Sequence, residues 1–187
     1  MKTEKETLQA SAEMLEKRKK LFSITETGYD IIVPENKTVL LSEVAQRKPE
    51  LKGTASVKKY KEWLGRPNAL ADEYPWQMPS KEWSGKSFSS KDELTAEEKA
   101  NIEKAGWIYV FNDSAKVDSY EDAIENYVGS FPALIYNISE VIINKGGRLV
   151  IDGDPAVLLI DEITLWNTGQ VETRAVCHIT CGKIKKR

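Results

Sequence analysis

The chain has few of the residues from which catalytic and metal sites are most often built. It contains one histidine and two cysteines among its 187 residues, and these lie together near the end of the sequence as Cys177, His178 and Cys181. A single histidine placed in a strand leaves no Ser-His-Asp set to assign, and a closed zinc site needs four ligands. We therefore predict a protein that is not an enzyme, with no catalytic residue, no metal and no cofactor.

A charge excess and a long apolar run are also missing. The net charge is −2, so neither a nucleic acid nor an anionic membrane is expected as a partner. No apolar run approaches the roughly 20 residues of a membrane-spanning helix. The first residues, MKTEKETLQ, are charged and do not read as a signal peptide. Together with the scarcity of cysteine, these features predict a cytoplasmic, reducing location.

Three further patterns fall short of a binding site. The acidic residues between 152 and 162 do not have the spacing of a calcium loop. The run at 145–148 lacks both glycine patterns that hold phosphate groups. In a strand, Cys177 and Cys181 point to one face and His178 points to the other. We interpret the two thiols as small core residues.

The first two thirds of the chain combine helices with short strands. Leu8, Ala12 and Leu15 form one narrow apolar stripe at helical spacing, which predicts a surface helix over residues 2–22. Thr95 and Glu98 form a capping box that opens another helix, which we expect to end near residue 106. The remaining predictions are strands at 29–33, 38–41 and 107–111, and helices at 56–64 and 120–127.

One segment is unusual in its proline and tryptophan content. Residues 34–79 hold five of the seven prolines, which predicts a winding segment of short elements. Trp76 and Met78 lie between prolines at its end, and Trp83 follows. The segment is either an exposed aromatic surface or a loop that packs its aromatic side chains over the core. With Trp166, these residues are the candidate contacts for a partner or ligand.

The stretch at 139–182 alternates apolar clusters with turn residues, in a pattern that occurs twice. With an offset of 22 residues, Glu140 aligns with Glu162 and Val141 aligns with Ile163. Further aligned pairs are Ile143 with Leu165, Gly147 with Gly169 and Leu149 with Val171. In the second copy, the alternation from 171 to 181 predicts one half-buried strand, with these residues facing inward: Val171, Thr173, Ala175, Cys177, Ile179 and Cys181.

Two folds fit this repeat. In a short parallel β-solenoid, each copy forms one coil and equivalent residues stack about 4.8 Å apart. The stacking of Glu140 on Glu162 counts against this fold, because like charges at that spacing repel. The alternative is an antiparallel meander or sandwich, with hairpin turns at 152–154 and 167–169.

The expected fold class is α+β, with a helical N-terminal and middle region packed on a C-terminal β-rich module. The expected divisions are an N-terminal helix or arm at 1–22, a mixed region at 23–130 and a β-repeat module at 131–187. Solenoid coils cannot bury their end faces alone, so an open end needs a cap or another subunit. Basic residues 183–187 lie at the C-terminal end, where lysines discourage further strand addition. We therefore expect a capped end rather than open-ended growth.

Three functions follow as hypotheses. The first is a structural or interaction protein whose C-terminal β-module mediates self-association or binding of a protein partner. The second is a small inhibitor or immunity-type protein that binds one protein partner through the loop of Trp76 and Trp83 and through an acidic edge. The third is a carbohydrate-binding module that uses exposed tryptophans, including Trp166, as stacking surfaces.

Overall fold

The computed structural model describes residues 4–44, 49–65, 68, 77–153 and 155–187. The chain is 35% helix and 33% strand with parallel sheets, which is consistent with the predicted α+β class. The helices are α1 Glu4–Leu21, α2 Val57–Leu64, α3 Ala96–Phe111 and α4 Glu121–Val128. The strands are β1 Tyr29–Val33, β2 Thr38–Leu40, β3 Glu50–Thr54, β4 Phe131–Ile143, β5 Arg148–Ile151, β6 Ala156–Leu165, β7 Gln170–Thr173 and β8 Cys177–Lys186.

The chain divides into two compact units. The first unit joins Met1–Lys52 to Ala133–Arg187, and the second is Gly53–Pro132. The boundaries expected from the sequence, at 22 and 130, stay a prediction.

The first unit contains two sheets whose neighbouring strands run parallel. One sheet has the order β1-β4-β6-β8, with β3 also pairing with β4, and the other has the order β2-β5-β7. In the β4–β6 pair, Glu140 lies opposite Glu162 and Val141 lies opposite Ile163. Hairpin turns would make successive strands antiparallel. The parallel pairs β4–β6, β5–β7 and β6–β8 therefore correct the alternative of an antiparallel meander or sandwich.

Residues 171–181 also differ from the single strand predicted for them. The chain forms β7 as far as Thr173 and enters β8 at Cys177. Alternation in the sequence continues through this corner, because residues 174–176 do not interrupt it with proline or glycine. The alternation of inward and outward residues therefore predicted the strand conformation but not the break between β7 and β8.

Apolar side chains of both sheets form one buried cluster. Its fully buried members come from β1, β4, β5 and β6: Ile31, Val33, Tyr136, Ile138, Val141, Ile143, Leu149, Ile151, Ala156, Leu158, Ile160 and Ile163. Leu41, which directly follows β2, belongs to the same cluster. In β6 the inward positions alternate as far as Ile160 and then change phase, so that Ile163 is the next inward residue.

Helix α1 packs against β6 and β8 within the first unit. Leu15 is buried there, as its place in the apolar stripe predicts. Gly182 of β8 lies directly below it, since an added Cβ would sit 3.1 Å from Leu15 Cδ2. An ion pair between Lys19 and Asp161 also joins α1 to β6. The side chain of Leu8 lies outside the described part of the helix.

The second unit is built from α2, α3 and α4, which pack on one another. The Ser56 hydroxyl caps α2, and Gly65 ends it in the left-handed conformation, close to the predicted span. Both hydrogen bonds of the capping box at Thr95 and Glu98 are formed at the start of α3.

Residues 107–111 are helical, so the strand predicted there is wrong. Helix α3 runs through Gly106 to Phe111. Ile108, Tyr109 and Val110 are buried, while Trp107 is exposed. β-branched and aromatic residues favour strands only weakly, and packing against α2 and α4 outweighs that local preference. Gly106 was read as a helix stop but lies inside the helix, which costs about 1 kcal/mol relative to alanine.

Candidate functional site

The end of the first unit formed by β7 and β8 is the candidate site. These are the last strands in the order of their two sheets. Edge strands present backbone amide and carbonyl groups along one side, and other chains can pair with them. We call this end of the first unit the terminal edge.

The hydrophobic core opens to solvent at the terminal edge. Paired residues in neighbouring parallel strands point to the same side of a sheet. The exposed fraction of a residue in an inner strand can therefore be compared with that of its partner in β7 or β8. Leu149 is 1% exposed and its partner Val171 is 37% exposed. The same contrast holds for Leu158 and Ile179, at 0% and 36%, and for Ile163 and Ile184, at 7% and 58%. The inward residues of β7 and β8 therefore extend the core but remain partly exposed to solvent.

The opposite end of the same sheets is closed. In β1, the inward residues Ile31 and Val33 are almost fully buried. Leu41 is buried in the same cluster, and Val44 packs against it. The inward residues of the strands at this end are therefore buried, with Leu41 and Val44 packed in or against the same cluster. The exposed inward side chains lie at one end only of the described core.

Lysines of β8 neutralise an acidic position beside the terminal edge. Lys185 forms an ion pair with Glu162, and Lys183 Nζ lies 3.9 Å from the same carboxylate. The hydrogen bond from Lys185, followed by the charges of both lysines, lowers the pKa of Glu162. Thr164 Oγ1 donates to Glu140 at 3.3 Å. The stacked pair of Glu140 and Glu162 is accommodated because the two lysines compensate the charge of Glu162 and Thr164 donates a hydrogen bond to Glu140.

The basic end of the sequence does not lie over the terminal edge. Residues 183–186 continue β8 itself, and Arg187 donates its backbone N–H to Leu165 O at 2.9 Å. The lysines are therefore part of the last strand, where they limit which strands can pair with it.

Both cysteines lie in β8 with their side chains against the core. Cys177 and Cys181 are half-buried, and neither forms a disulfide. Burial raises the pKa of the Cys181 thiol, which donates to Lys183 O at 3.0 Å. His178 Nε2 lies 2.9 Å from Thr180 Oγ1, on the opposite face. Within the described ranges, no group of three or more His, Cys, Asp or Glu residues is placed to hold a metal ion.

The candidate contact residues lie in different surroundings. Trp76 lies outside the described residues. Met78 is exposed. Trp83 is half-buried, with its ring 5.7 Å from the ring of Tyr120 and 6.2 Å from that of Phe88. Its contacts match those of a loop that packs over a core. Trp166 is 45% exposed and begins the turn between β6 and β7.

The sequence interpretation missed Val171, Ile179 and Ile184 as candidate contacts. It placed Val171 and Ile179 on the inward face, which their pairing with core residues agrees with. Their exposure follows from the order of strands, because β7 and β8 are the last strands of their sheets. No signal in the sequence distinguishes these residues from the buried residues with which they pair.

A polar cleft of about 230 Å³ lies elsewhere in the first unit, between the loop at 23–27 and β4. Asn137 lines it and donates from Nδ2 to Glu26 O at 2.8 Å. Asn137 Oδ1 is buried, and no described residue donates a hydrogen bond to it. Buried water molecules commonly donate a hydrogen bond to acceptors of this type. The cleft therefore indicates no particular ligand.

No helix among the described residues has the length and apolar character needed to cross a membrane. Comparisons of the chain with protein-family models, with curated proteins and with solved structures found no match.

Proposed function

We propose that this protein acts through assembly, and that its C-terminal β-module joins it to another subunit at the terminal edge. The observation that carries the proposal is the exposure of Val171, Ile179 and Ile184, whose partners in the preceding strands are buried. Burying apolar surface contributes roughly 25 cal/mol per Å². A subunit that covers these side chains completes the core at its open end.

We further propose that the strands of this module form a short β-solenoid. The proposal is supported by the register of β4 on β6 and of β5 on β7, which pairs the residues that the 22-residue offset aligns. It is also supported by the turns before β2, β5 and β7. Asn36, Gly146 and Thr168 occupy equivalent places in these turns, each with a φ between 55° and 67°. The Asn36 N–H donates to Lys145 O, and the Gly146 N–H donates to Asn167 O.

The expected assembly is a closed dimer. A solenoid with two open ends can add copies head to tail without limit, whereas a single open end is closed by one like end around a twofold axis. Ile31 and Val33, the inward residues of β1, are buried, so the exposed inward side chains that would meet a like end lie at the terminal edge. Assembly at the terminal edge is a non-enzymatic role.

Light scattering coupled to size-exclusion chromatography tests this proposal. The chain is measured with a reducing agent present, over a hundredfold range of concentration. We expect a mass that approaches twice the 21.1 kDa of the chain at the higher concentrations. A mass of one chain throughout the range contradicts assembly, and a mass that keeps rising contradicts a closed dimer.

The exposed ring of Trp166 supports a second candidate function, carbohydrate binding. An exposed tryptophan offers a flat apolar surface with a polar edge, on which a sugar ring can stack. Tryptophan fluorescence titrated with a panel of glycans tests it, with Trp166→Ala as the control variant. A change that disappears in Trp166→Ala supports binding, and an unchanged spectrum across the panel contradicts it.

A further inference from the structure

We propose that the subunit at the terminal edge is a second copy of this chain, whose β8 pairs antiparallel with β8 around a twofold axis at Ile179. In this register Cys177 of each copy lies opposite Cys181 of the other. The inference rests on the proposed assembly and specifies its partner and register.

The direction of pairing follows from symmetry. When two identical edge strands meet around a twofold axis perpendicular to them, they run antiparallel, and the same residues contact each other in both directions. The inward side chains of both copies must also lie on one side of the new pair, since they extend the same core. Cys177, Ile179 and Cys181 are the inward positions of the first half of β8, because they pair with Ala156, Leu158 and Ile160 of the core. An axis through Ile179 places these three residues opposite one another.

The distribution of charge in β8 favours pairing through its first half. The first half of β8, residues 177–182, contains no lysine, arginine or carboxylate, and the second half contains Lys183, Lys185 and Lys186. Like charges directly opposite each other destabilise a strand pair. An axis anywhere in the second half places lysines opposite lysines. An axis at Ile179 matches uncharged residues with uncharged residues and leaves the lysines beyond both ends of the matched segment.

The regular part of β8 is also symmetrical about Ile179. The inward alternation of β6 changes phase after Ile160, which lies beside Cys181. The segment from Cys177 to Cys181 is therefore the part of β8 in which alternation and neutrality coincide. Its middle residue is Ile179.

The register gives each thiol a partner within bonding distance. Residues directly opposite in an antiparallel pair have Cα atoms about 4.5–5.5 Å apart, inside the range of about 4.4–6.8 Å found in disulfides. Within one chain the two cysteines are four residues apart along a strand, or about 13 Å, which is too far for a disulfide. The same separation of about 13 Å applies to Cys177 of one copy and Cys177 of the other.

Oxidised glutathione is expected to crosslink the two copies by a disulfide when they pair in this register. A thiolate of one copy attacks the disulfide and releases one molecule of reduced glutathione. The facing cysteine of the other copy then displaces the second glutathione and forms the bond between the copies. Two thiols lose two protons and two electrons, and one molecule of oxidised glutathione becomes two of reduced glutathione. The assembled dimer forms two such bonds.

The test uses Cys177→Ser, Cys181→Ser and an equal mixture of the two variants. Each sample is diluted to exchange copies, concentrated, treated with oxidised glutathione and run on a denaturing gel without reductant. Wild type is expected to give a covalent dimer and each variant alone a monomer. The mixture is expected to give a covalent dimer, because in it, as in wild type and unlike either variant alone, Cys177 of one copy meets Cys181 of the other.

Each other result contradicts a defined part of the proposal. A covalent dimer of Cys181→Ser alone moves the axis to Cys177, and one of Cys177→Ser alone moves it to Cys181. No covalent product from the mixture, while light scattering still shows a dimer under reducing conditions, overturns the register and leaves the assembly intact. A monomer in light scattering overturns the assembly itself. The double serine variant is the control and is expected to remain a dimer in light scattering.

Discussion

Replacing Ile179 by lysine is expected to separate the two copies while leaving each folded. Ile179 lies at the proposed axis, so Ile179→Lys places two ammonium groups opposite each other at about 5 Å. Their repulsion is roughly 1–3 kcal/mol for effective dielectric constants between 80 and 20. The variant also loses the burial of the exposed third of each isoleucine, which is worth about 0.5–1 kcal/mol per copy. Together these effects weaken the dimer by about 2–5 kcal/mol, or roughly 30-fold to several thousand-fold in Kd.

Sedimentation equilibrium on wild type and variant measures this change directly. Ile32→Lys is the matched control, because Ile32 is also an exposed isoleucine in a strand of the same sheet but lies in β1. Its Kd is expected to stay within twofold of wild type. Circular dichroism of the dilute monomers checks that both variants are folded. An Ile179→Lys protein that dimerises as tightly as wild type refutes the placement of the interface.

Three further predictions concern stability and are measured by chemical denaturation. Leu158→Ala, at a fully buried position, is expected to cost about 2–5 kcal/mol. Gly28→Ala is expected to cost about 1–3 kcal/mol, because the new Cβ would lie 2.5 Å from the backbone N of Ser139; an unchanged midpoint contradicts this close approach. Glu162→Gln tests the pH dependence. The pKa of Glu162 is lowered in the folded chain by Lys185, so this carboxylate stabilises the fold above its unfolded pKa, and the contribution is lost as pH falls through the lower folded value. The gap in stability between wild type and Glu162→Gln is therefore expected to be largest near neutral pH and to close in acid.

The local elements of this fold are largely readable from the sequence, because they depend on neighbouring residues. The Ser56 cap, the Gly65 stop and the capping box at Thr95 are each formed by residues within one helical turn. The alternation in residues 139–182 likewise identified residues that pair between β4 and β6. Parallel pairing itself depends on contacts between distant strands, and the sequence left it undecided against an antiparallel arrangement.

The two errors have a common physical cause. Residues 107–111 have the composition of a central strand, yet their packing partners are helices. Residues 171–181 alternate like one strand, yet the chain turns a corner at 174–176. In both cases the local pattern records which side chains are apolar, and the surrounding structure determines the backbone that carries them.

The candidate site depends on a property that no local pattern contains. Ile179 and Leu158 are both inward apolar residues in neighbouring strands, and the sequence does not distinguish them. Their exposure differs because β6 has a strand on each side and β8 is the last strand of its sheet. Identifying Ile179 as a contact residue therefore requires the order of strands.

Hydrogen exchange at two concentrations tests the central claim most directly. The amides of β8 are compared well above and well below the concentration at which the dimer dissociates, with the amides of β1 as the internal reference. Pairing with a second copy protects backbone amides of the edge strand. The account predicts slower exchange in residues 177–181 at the higher concentration and no change in residues 29–33. Equal exchange of β8 at both concentrations, or a change confined to β1, contradicts it.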